Sequence, residues 1–359
     1  MFFCVGLAPA GFTMRTQPTL RRGLRCSPPR LMPEGPECRV HAESLHRRLA
    51  GSTLQRVAVL SGRYLGNGTT PGRGAPPALW DTLQDSLPAT IESICNKGKF
   101  IWWELHPQSP SLPELTFWST LGMSGAWSLE RSPFSRVAFE LFVPVSAKAG
   151  ADAERAVLFY NDQRNFGTLT VCTDRSLLEA KLDTLGPSWL GDDLTLDQFR
   201  EIVRKQTANR RSASVPVARF LMDQGKTAGI GNYLLSETLY KAAVYPWAAC
   251  SDLAADDWTA VHAAASETIR ASYAAQAALA SAGPGAVSTT RGTFAAIEPR
   301  FELLAYGRTV AAGAGGLALR KDEGPHGRSV FWAPQRQVRG KPPDASLTET
   351  SGPQDDDDA

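Results

Sequence analysis

The sequence predicts an α+β fold in which an antiparallel β-sandwich precedes a helical domain. Between residues 54 and 173, short runs rich in branched and aromatic residues are separated by Gly, Pro and Ser clusters, as is typical of antiparallel strands. From about Lys181 the apolar residues recur at helical spacing instead. Residues 301–332 return to strand-like content, which is enough for one β-hairpin.

The individual elements follow from the same patterns. A helix is expected over 36–50, because Pro36 stands in its first turn, apolar residues recur at near-helical spacing and Gly51 ends it. Strands are expected over 54–60, 91–105, 115–129, 137–143 and 157–171, and further helices over 194–205, 215–223, 232–243 and about 252–282. The Gly/Pro/Thr-rich segment 66–78 is expected to be an exposed, mobile loop.

Composition bounds the class of protein. The chain has 359 residues, of which 43% are hydrophobic and 21% charged, as in a soluble globular protein of two domains. No apolar run approaches the roughly 18 residues of a membrane span. Six cysteines are scattered without a CxxC pair, which argues against a disulfide framework and a cysteine zinc site. A reducing compartment fits best.

The net charge of +2 hides two opposed tails. Residues 1–31 carry +5, residues 338–359 carry −4, and the remaining body carries +1. A nucleic-acid-binding protein with this balance must concentrate its positive charge on one face. The tail 338–359, which ends in four Asp before Ala359, is expected to be disordered.

The string Met32-Pro-Glu-Gly-Pro-Glu37 has the character of a protein start, yet thirty-one residues precede it. If Met32 is the true or processed start and is removed, Pro33 becomes an N-terminal secondary amine. Such an amine titrates near ~8, against ~10.4 for lysine, and can attack an aldehyde or an anomeric carbon. An amide nitrogen within the chain has no such reactivity.

The leader 1–31 contains five Arg and no Asp, Glu or Lys. This composition indicates an organellar transit peptide, and an upstream extension of the gene model is an equal alternative. Translation from Met1 predicts a mitochondrion or plastid, whereas initiation at Met32 predicts nucleus and cytosol.

Five blocks in order carry a family resemblance over about 32–337. They are MPEGPE at 32–37, NKGKF at 96–100, LGMSG at 121–125, FYNDQRNFG at 159–167 and LMDQGKTAGIGNYLLSETLY at 221–240. The set resembles the formamidopyrimidine-DNA glycosylase and endonuclease VIII family. The resemblance implies a catalytic β-sandwich domain at 32–180, a helix-two-turn-helix DNA-binding domain at 181–297 and a finger hairpin at 298–337.

The resemblance also implies roles for single residues. Pro33 would be the nucleophile, Glu34 the general acid/base, and Lys99 a lysine that reaches the phosphate beside the lesion and assists catalysis. The ordinary alternatives are a proline that starts a helix and a lysine solvated in a turn. Lys97 is a rival for the place of Lys99, but Gly98-Lys99 matches the family's Gly-Lys pair better.

The remaining expected site residues would contact DNA. Met123, Arg164 and Phe166 resemble the side chains that fill the space left by a flipped nucleotide, although Met123 alone also fits a core position on a strand. Asn232 would grip a phosphate at the start of a helix. Arg328 would be the phosphate-binding, catalytically required arginine of the hairpin.

The hairpin departs from the family members that fold around four cysteines and zinc. Residues 304–337 contain no Cys and only His326, as in the zincless-finger subgroup. We therefore expect no metal, and a hairpin held by its own packing, with Phe331 and Trp332 as candidates. No cofactor is expected, because the amine of Pro33 supplies the electron sink.

The resemblance implies a bifunctional DNA glycosylase/AP lyase of base excision repair, acting as a monomer, away from membranes, on double-stranded DNA that contains oxidised bases or abasic sites. The expected substrates are 8-oxoguanine and formamidopyrimidines, with oxidised pyrimidines or hydantoins as a narrower alternative that a loop near 281–293 would decide. If Pro33 is never exposed, a non-catalytic protein that binds damaged DNA is the alternative.

Overall fold

The computed structural model describes residues 33–144, 153–192, 194–281, 301–312 and 316–342. Its first helix, α1 (Gly35–Leu49), begins directly after Glu34. A capping box starts the helix, since the Glu34 N–H donates to Glu37 Oε2 over 3.0 Å. The apolar face of α1 is buried through Leu45 and Leu49, so the residues ahead of it are held on a packed element.

The first domain is built on one antiparallel sheet. Its elements in chain order are β1 (Thr53–Val59), β2 (Thr70–Pro71), β3 (Gly74–Ala75), α2 (Trp80–Asp85), β4 (Ala89–Lys97), β5 (Phe100–Pro107), β6 (Leu115–Thr120), β7 (Gly125–Ser128), β8 (Ser135–Pro144), β9 (Ala153–Asp162) and β10 (Thr168–Cys172). Eight of these strands form the sheet in the order β10-β6-β5-β4-β1-β8-β9-β7, and β2 and β3 form a small separate pair.

The sheet curls so that its two halves face each other. Trp127 of β7 lies 5.1 Å from Trp103 of β5 and 5.9 Å from Phe117 of β6, measured between ring centroids, although these strands are far apart in the sheet order. Phe139 of β8 joins the same aromatic core. The fold class predicted from the sequence is confirmed, and the sandwich is a single sheet folded over this core.

Three of the predicted strands are in fact pairs of strands. The predicted runs 91–105, 115–129 and 157–171 are each broken by a tight turn, at 98–99, 121–124 and 163–167. Apolar content alone does not reveal these turns, because buried glycines and a buried carboxylate stand inside or beside them. The turns carry most of the expected site residues of the first domain.

The second domain is helical, as predicted. It contains α3 (Arg175–Asp183), α4 (Leu196–Gln206), α5 (Arg210–Ala213), α6 (Val217–Met222), α7 (Asn232–Ala242) and α8 (Ala255–Ser281). The sequence did not predict the short helices α3 and α5, since each buries only a single apolar side chain. Helix α8 packs against both α7 and α1 and so joins the two domains. No helix in the described ranges is long and apolar enough to cross a membrane.

The predicted hairpin is present as β11 (Arg320–Glu323) and β12 (Ser329–Trp332). As expected, aromatic packing holds it: Phe331 lies 5.0 Å from Tyr306, and Trp332 lies 5.3 Å from Trp247. Ordered pairing continues past the predicted domain limit at 337, since the Tyr245 N–H donates to the carbonyl of Arg339. The leader, the tail from 343 and residues 282–300, which hold most of the loop expected to decide substrate preference, lie outside the described residues.

Candidate active site

Glu34 lies where the start of α1 meets the start of α7. Its carboxylate accepts three backbone N–H groups: Gly231 over 2.8 Å, Tyr233 over 2.9 Å and Leu234 over 3.2 Å. These are donors that the first turn of a helix leaves without intrahelical partners. The side chain next to Pro33 is therefore fixed from the second domain, and Pro33 itself is half-buried beside it.

Burial changes the acidity of this carboxyl group. Glu34 is only 1% exposed, and desolvation raises its pKa to about 7, against the lowering effects of the Lys99 charge and of the backbone N–H donors. A carboxyl group with this pKa exists in both protonation states near neutral pH. It is therefore suited to giving and taking a proton in one reaction.

Lys99 approaches the same point from the turn between β4 and β5. A Cβ atom placed on Gly231 would lie 2.6 Å from Lys99 Nζ and closer still to the carboxyl carbon of Glu34, so both side chains converge on this glycine. Burial lowers the pKa of Lys99, the neighbouring Glu34 raises it, and the charge of Arg328 lowers it. The rival Lys97 points elsewhere, since its Nζ donates to the carbonyl of Leu182 over 3.1 Å.

Three glycines bring these segments together by backbone contact. The Gly35 N–H donates to the carbonyl of Gly229 over 2.9 Å, and a Cβ atom at Gly35 would lie 2.9 Å from the Gly229 Cα. Gly98 has φ +56°, and a Cβ atom there would lie 2.6 Å from the Cβ of Ala228. Helix α1, the turn that carries Lys99 and the loop before α7 therefore meet where side chains would keep them apart.

Asn232 connects α7 to the hairpin. Its Nδ2 donates to the carbonyl of Ser329 over 2.8 Å, and its Oδ1 lies 2.9 Å from His326 Nε2. The hairpin turn thus rests on the first residue of α7, close to the backbone N–H groups that Glu34 occupies. Arg328 is exposed in that turn and close enough to Lys99 to lower its pKa.

Met123, Arg164 and Phe166 lie on two neighbouring turns of the first domain. Met123 is in the turn between β6 and β7, not on a strand, and the other two residues are in the turn between β9 and β10. The Arg164 guanidinium lies 5.5 Å from the Phe166 ring centroid, and Phe166 is 54% exposed. An exposed phenyl ring on a turn is available to contact a ligand.

Two residues that the sequence analysis did not single out join these turns. Ser124 donates to Asp162 Oδ1 over 2.5 Å and accepts the Arg164 N–H over 2.8 Å. Asp162 Oδ2 accepts the Gly167 N–H over 2.7 Å. Both residues stand inside the five sequence blocks, but their pairing depends on strands that are distant in the sequence.

Glu237 is a further residue that the sequence did not reveal. It is buried on α7 and accepts three backbone N–H groups, those of residues 304, 305 and 306, over 2.8–2.9 Å. Burial raises its pKa. Glu237 thus fixes the chain leading into the hairpin, as Glu34 fixes the chain leading into α1. Among the described residues no group of three or more His, Cys, Asp or Glu could hold a metal ion.

Comparison with known proteins agrees with this architecture. A model of the formamidopyrimidine-DNA glycosylase N-terminal domain matches residues 32–169, and a model of the formamidopyrimidine-DNA glycosylase H2TH domain matches residues 185–281. A formamidopyrimidine-DNA glycosylase of Arabidopsis thaliana is 26% identical over 245 residues, which are 66% of this chain and 57% of that protein. One of Lactiplantibacillus plantarum is 27% identical over 233 residues, 63% of this chain and 72% of that protein. The matched region thus spans little more than half of the Arabidopsis protein.

Solved structures show the same fold. Formamidopyrimidine-DNA glycosylase of Lactococcus lactis, bound non-covalently to DNA containing an AP site, matches with a TM-score of 0.62 at 21% identity. The Lactococcus lactis enzyme with DNA containing an oxidised pyrimidine matches with a TM-score of 0.60 at 20% identity. Each match covers 85% of this chain and 99% of the other.

The curled sandwich, the helical domain and the junction between them define the architecture of a DNA glycosylase. With both domain models matched in order, the chain belongs to the formamidopyrimidine-DNA glycosylase family. Its place in the zincless-finger subgroup stays a prediction.

Proposed function

We propose that this protein is a bifunctional DNA glycosylase and AP lyase of base excision repair, which uses the N-terminal amine of Pro33 as its nucleophile. The observation that carries the proposal is the convergence of Glu34 and Lys99 on Gly231, next to Pro33. This brings a proton donor with a pKa of about 7 and a cation to the residue that would hold the amine.

The proposed chemistry needs only these groups and water. The lone pair of the Pro33 nitrogen forms a bond to the sugar C1′, the glycosidic bond breaks, and the base leaves with the bonding electrons and a proton. Protonation of the ring oxygen by Glu34 opens the sugar to an iminium ion. Loss of a proton from C2′ expels the 3′ phosphate, and loss of a proton from C4′ then expels the 5′ phosphate. Water hydrolyses the iminium ion and frees the amine.

The two elimination steps require cations near both phosphates. Lys99 and Arg328 approach each other closely enough for Arg328 to lower the pKa of Lys99, as expected if both line one phosphate path. The Asn232 side chain at the start of α7 would hold a further phosphate, whereas Glu34 already occupies the N–H groups of residues 231, 233 and 234. Met123, Arg164 and Phe166 would occupy the space left in the duplex by the flipped nucleotide.

The proposed partner is double-stranded DNA with an oxidised base or an abasic site. Two observations on relatives support it: Lactococcus lactis structures of the same fold contain DNA with an AP site and DNA with an oxidised pyrimidine. We propose 8-oxoguanine and formamidopyrimidines as the main substrates, with oxidised pyrimidines or hydantoins as the alternative. We further propose that the form starting at Met32 acts in the nucleus, and that a form processed from Met1 acts in a mitochondrion or plastid.

Borohydride trapping tests the mechanism. Two recombinant forms, one beginning at Met1 and one at Met32, are incubated with duplex DNA carrying an abasic site or 8-oxoguanine. A covalent adduct only with the Met32 form is the expected result, because only that form can expose the Pro33 amine after removal of Met32. Mass spectrometry of the adduct peptide should place the DNA on Pro33.

The opposite result is equally clear. If neither form is trapped while both bind the lesion duplex tightly, the protein is a non-catalytic reader of damage and the amine mechanism is wrong. A matched form in which Met32 is retained serves as the blocked control. Equal trapping of that control and of the Met32-removed form would assign the adduct to another amine.

A further inference from the structure

We propose that Arg63 and Arg136 are positioning residues that fix the turn carrying Arg164 and Phe166, and so determine how that turn enters a duplex. The inference rests on the proposed function of the turn, which is to fill the space left by a flipped nucleotide. It concerns two arginines outside all five sequence blocks.

Arg136 holds the first half of the turn. Its Nε donates to the carbonyl of Asp162 over 2.8 Å and its Nη2 to the carbonyl of Gln163 over 3.4 Å. Its remaining nitrogen, Nη1, donates to Ser61 Oγ over 3.0 Å. One planar guanidinium thus spans two consecutive carbonyls, an arrangement that the single ammonium of a lysine does not reproduce.

Arg63 holds the second half. Its Nη1 lies 3.5 Å from the carbonyl oxygens of both Asn165 and Gly167, and its Nε donates to the carbonyl of Gly72 over 2.6 Å. The neighbouring Tyr64 also donates to the carbonyl of Gly167, over 3.2 Å. Gly72 belongs to the Gly/Pro/Thr-rich segment 66–78. Because its carbonyl is the acceptor that orients Arg63, this segment has a structural role.

The turn is bound on both its N–H and its carbonyl groups. Asn165, between the two functional side chains, has φ +60°, a left-handed backbone conformation that asparagine adopts more readily than most non-glycine residues. The Ser124 and Asp162 side chains accept the N–H groups of Arg164 and Gly167. The two arginines bind the carbonyl groups instead, and between them they contact the carbonyls of 162, 163, 165 and 167.

The rival explanation for two arginines in a DNA-binding protein is direct contact with phosphate. The two explanations differ in what a lysine can replace. A phosphate contact depends mainly on positive charge, so lysine would retain it, whereas the forked contacts to several carbonyls require the guanidinium. Arg136→Lys is therefore the decisive variant, with Arg136→Met to remove the charge and Arg155→Lys as a matched control. Arg155 is an exposed arginine that pairs with Glu140 instead.

The experiment uses the recombinant form that begins at Met32 and continues to Ala359, together with two DNA probes. The first is a single-stranded oligonucleotide with an abasic site, which offers no duplex to enter; the second is a duplex with 2-aminopurine opposite a tetrahydrofuran abasic analogue. Borohydride trapping on the single strand should be unchanged in Arg136→Lys. The 2-aminopurine fluorescence change on binding should be lost, and trapping on an abasic duplex should fall about tenfold to a hundredfold, as for loss of one or two hydrogen bonds to a charged group.

Two outcomes overturn the inference. Full duplex activity in Arg136→Lys together with loss in Arg136→Met would assign Arg136 to a phosphate contact. A parallel loss on single-stranded and duplex DNA, with a lowered melting temperature, would assign it to general stability. Failure of the unsubstituted protein to trap the single strand would refute the proposed catalysis alone, because the fluorescence probe reports on duplex entry without chemistry.

Discussion

Substituting Glu34 by Gln should change how the stability of this protein depends on pH. Burial raises the pKa of Glu34 from 4.5 to about 7 in the folded protein. The folded chain therefore holds this proton more tightly than the unfolded chain, and the associated stability is present at low pH and lost between about 4.5 and 7. A shift of this size corresponds to about 3 kcal/mol. Gln cannot titrate, so the variant lacks this loss.

Urea unfolding at a series of pH values between about 4.5 and 8 measures the effect. The difference in free energy of unfolding, native protein minus Glu34→Gln, should fall by about 3 kcal/mol across this range. Glu179→Gln, which removes an exposed carboxylate that forms a surface ion pair, should give a difference that varies by no more than about 0.5 kcal/mol. A difference that instead grows with pH would show that the three backbone N–H donors outweigh burial and hold Glu34 ionised, which would refute its assignment as a proton donor near neutral pH.

Three further substitutions test other contacts. Gly98→Ala combines a strained φ with a collision against the loop before α7, and should reduce both melting temperature and DNA binding. Gly51→Ala is the control: Gly51 has a similar φ of +79° but open space around it, so this substitution should cost only about 1–2 kcal/mol of stability. Arg328→Ala should reduce the magnitude of the slope of log association constant against log salt concentration by about one, because one phosphate contact is lost. Arg155→Ala should leave this slope unchanged; fluorescence anisotropy measures both. Glu237→Gln places an amide N–H₂ against backbone donors and should cost about 1.5–3 kcal/mol in calorimetry; an unchanged melting temperature would contradict the anchoring of the hairpin.

The sequence predicted a sandwich before a helical domain because their periodicities differ, and it indicated candidate site residues because short blocks resemble a family. The roles of those residues stay predictions. The sequence also placed Lys99 in a loop between two strand-like stretches and Arg164 and Phe166 in a turn, but it did not predict the turn that carries Met123. Met123 also fitted a strand, because nothing local shows that Gly122 has φ +57° or that a Cβ atom there would lie 2.7 Å from the Gly167 nitrogen. Local composition does not contain that information.

The contacts between blocks were also beyond the sequence. Ser124 and Asp162 both stand in blocks that resemble the family, yet nothing local says that they bind each other over 2.5 Å. Glu237 carries no local signal, because an acidic residue within a helix is usually solvated; only the arrival of residues 304–306 at its carboxylate gives it a role. The partners of such residues are set by the topology of the fold. That topology depends on packing between distant segments, which local sequence patterns do not show.

The three backbone N–H groups that Glu34 accepts have a practical consequence. Amide protons of Gly231, Tyr233 and Leu234 can exchange with solvent deuterium only when the carboxylate leaves them, because each is buried against it. Their exchange rates therefore report how often the Glu34 side chain leaves these amides, in the free protein and without any DNA. Hydrogen exchange at three amides of one helix start thus measures how stably the junction between α1 and α7 is assembled.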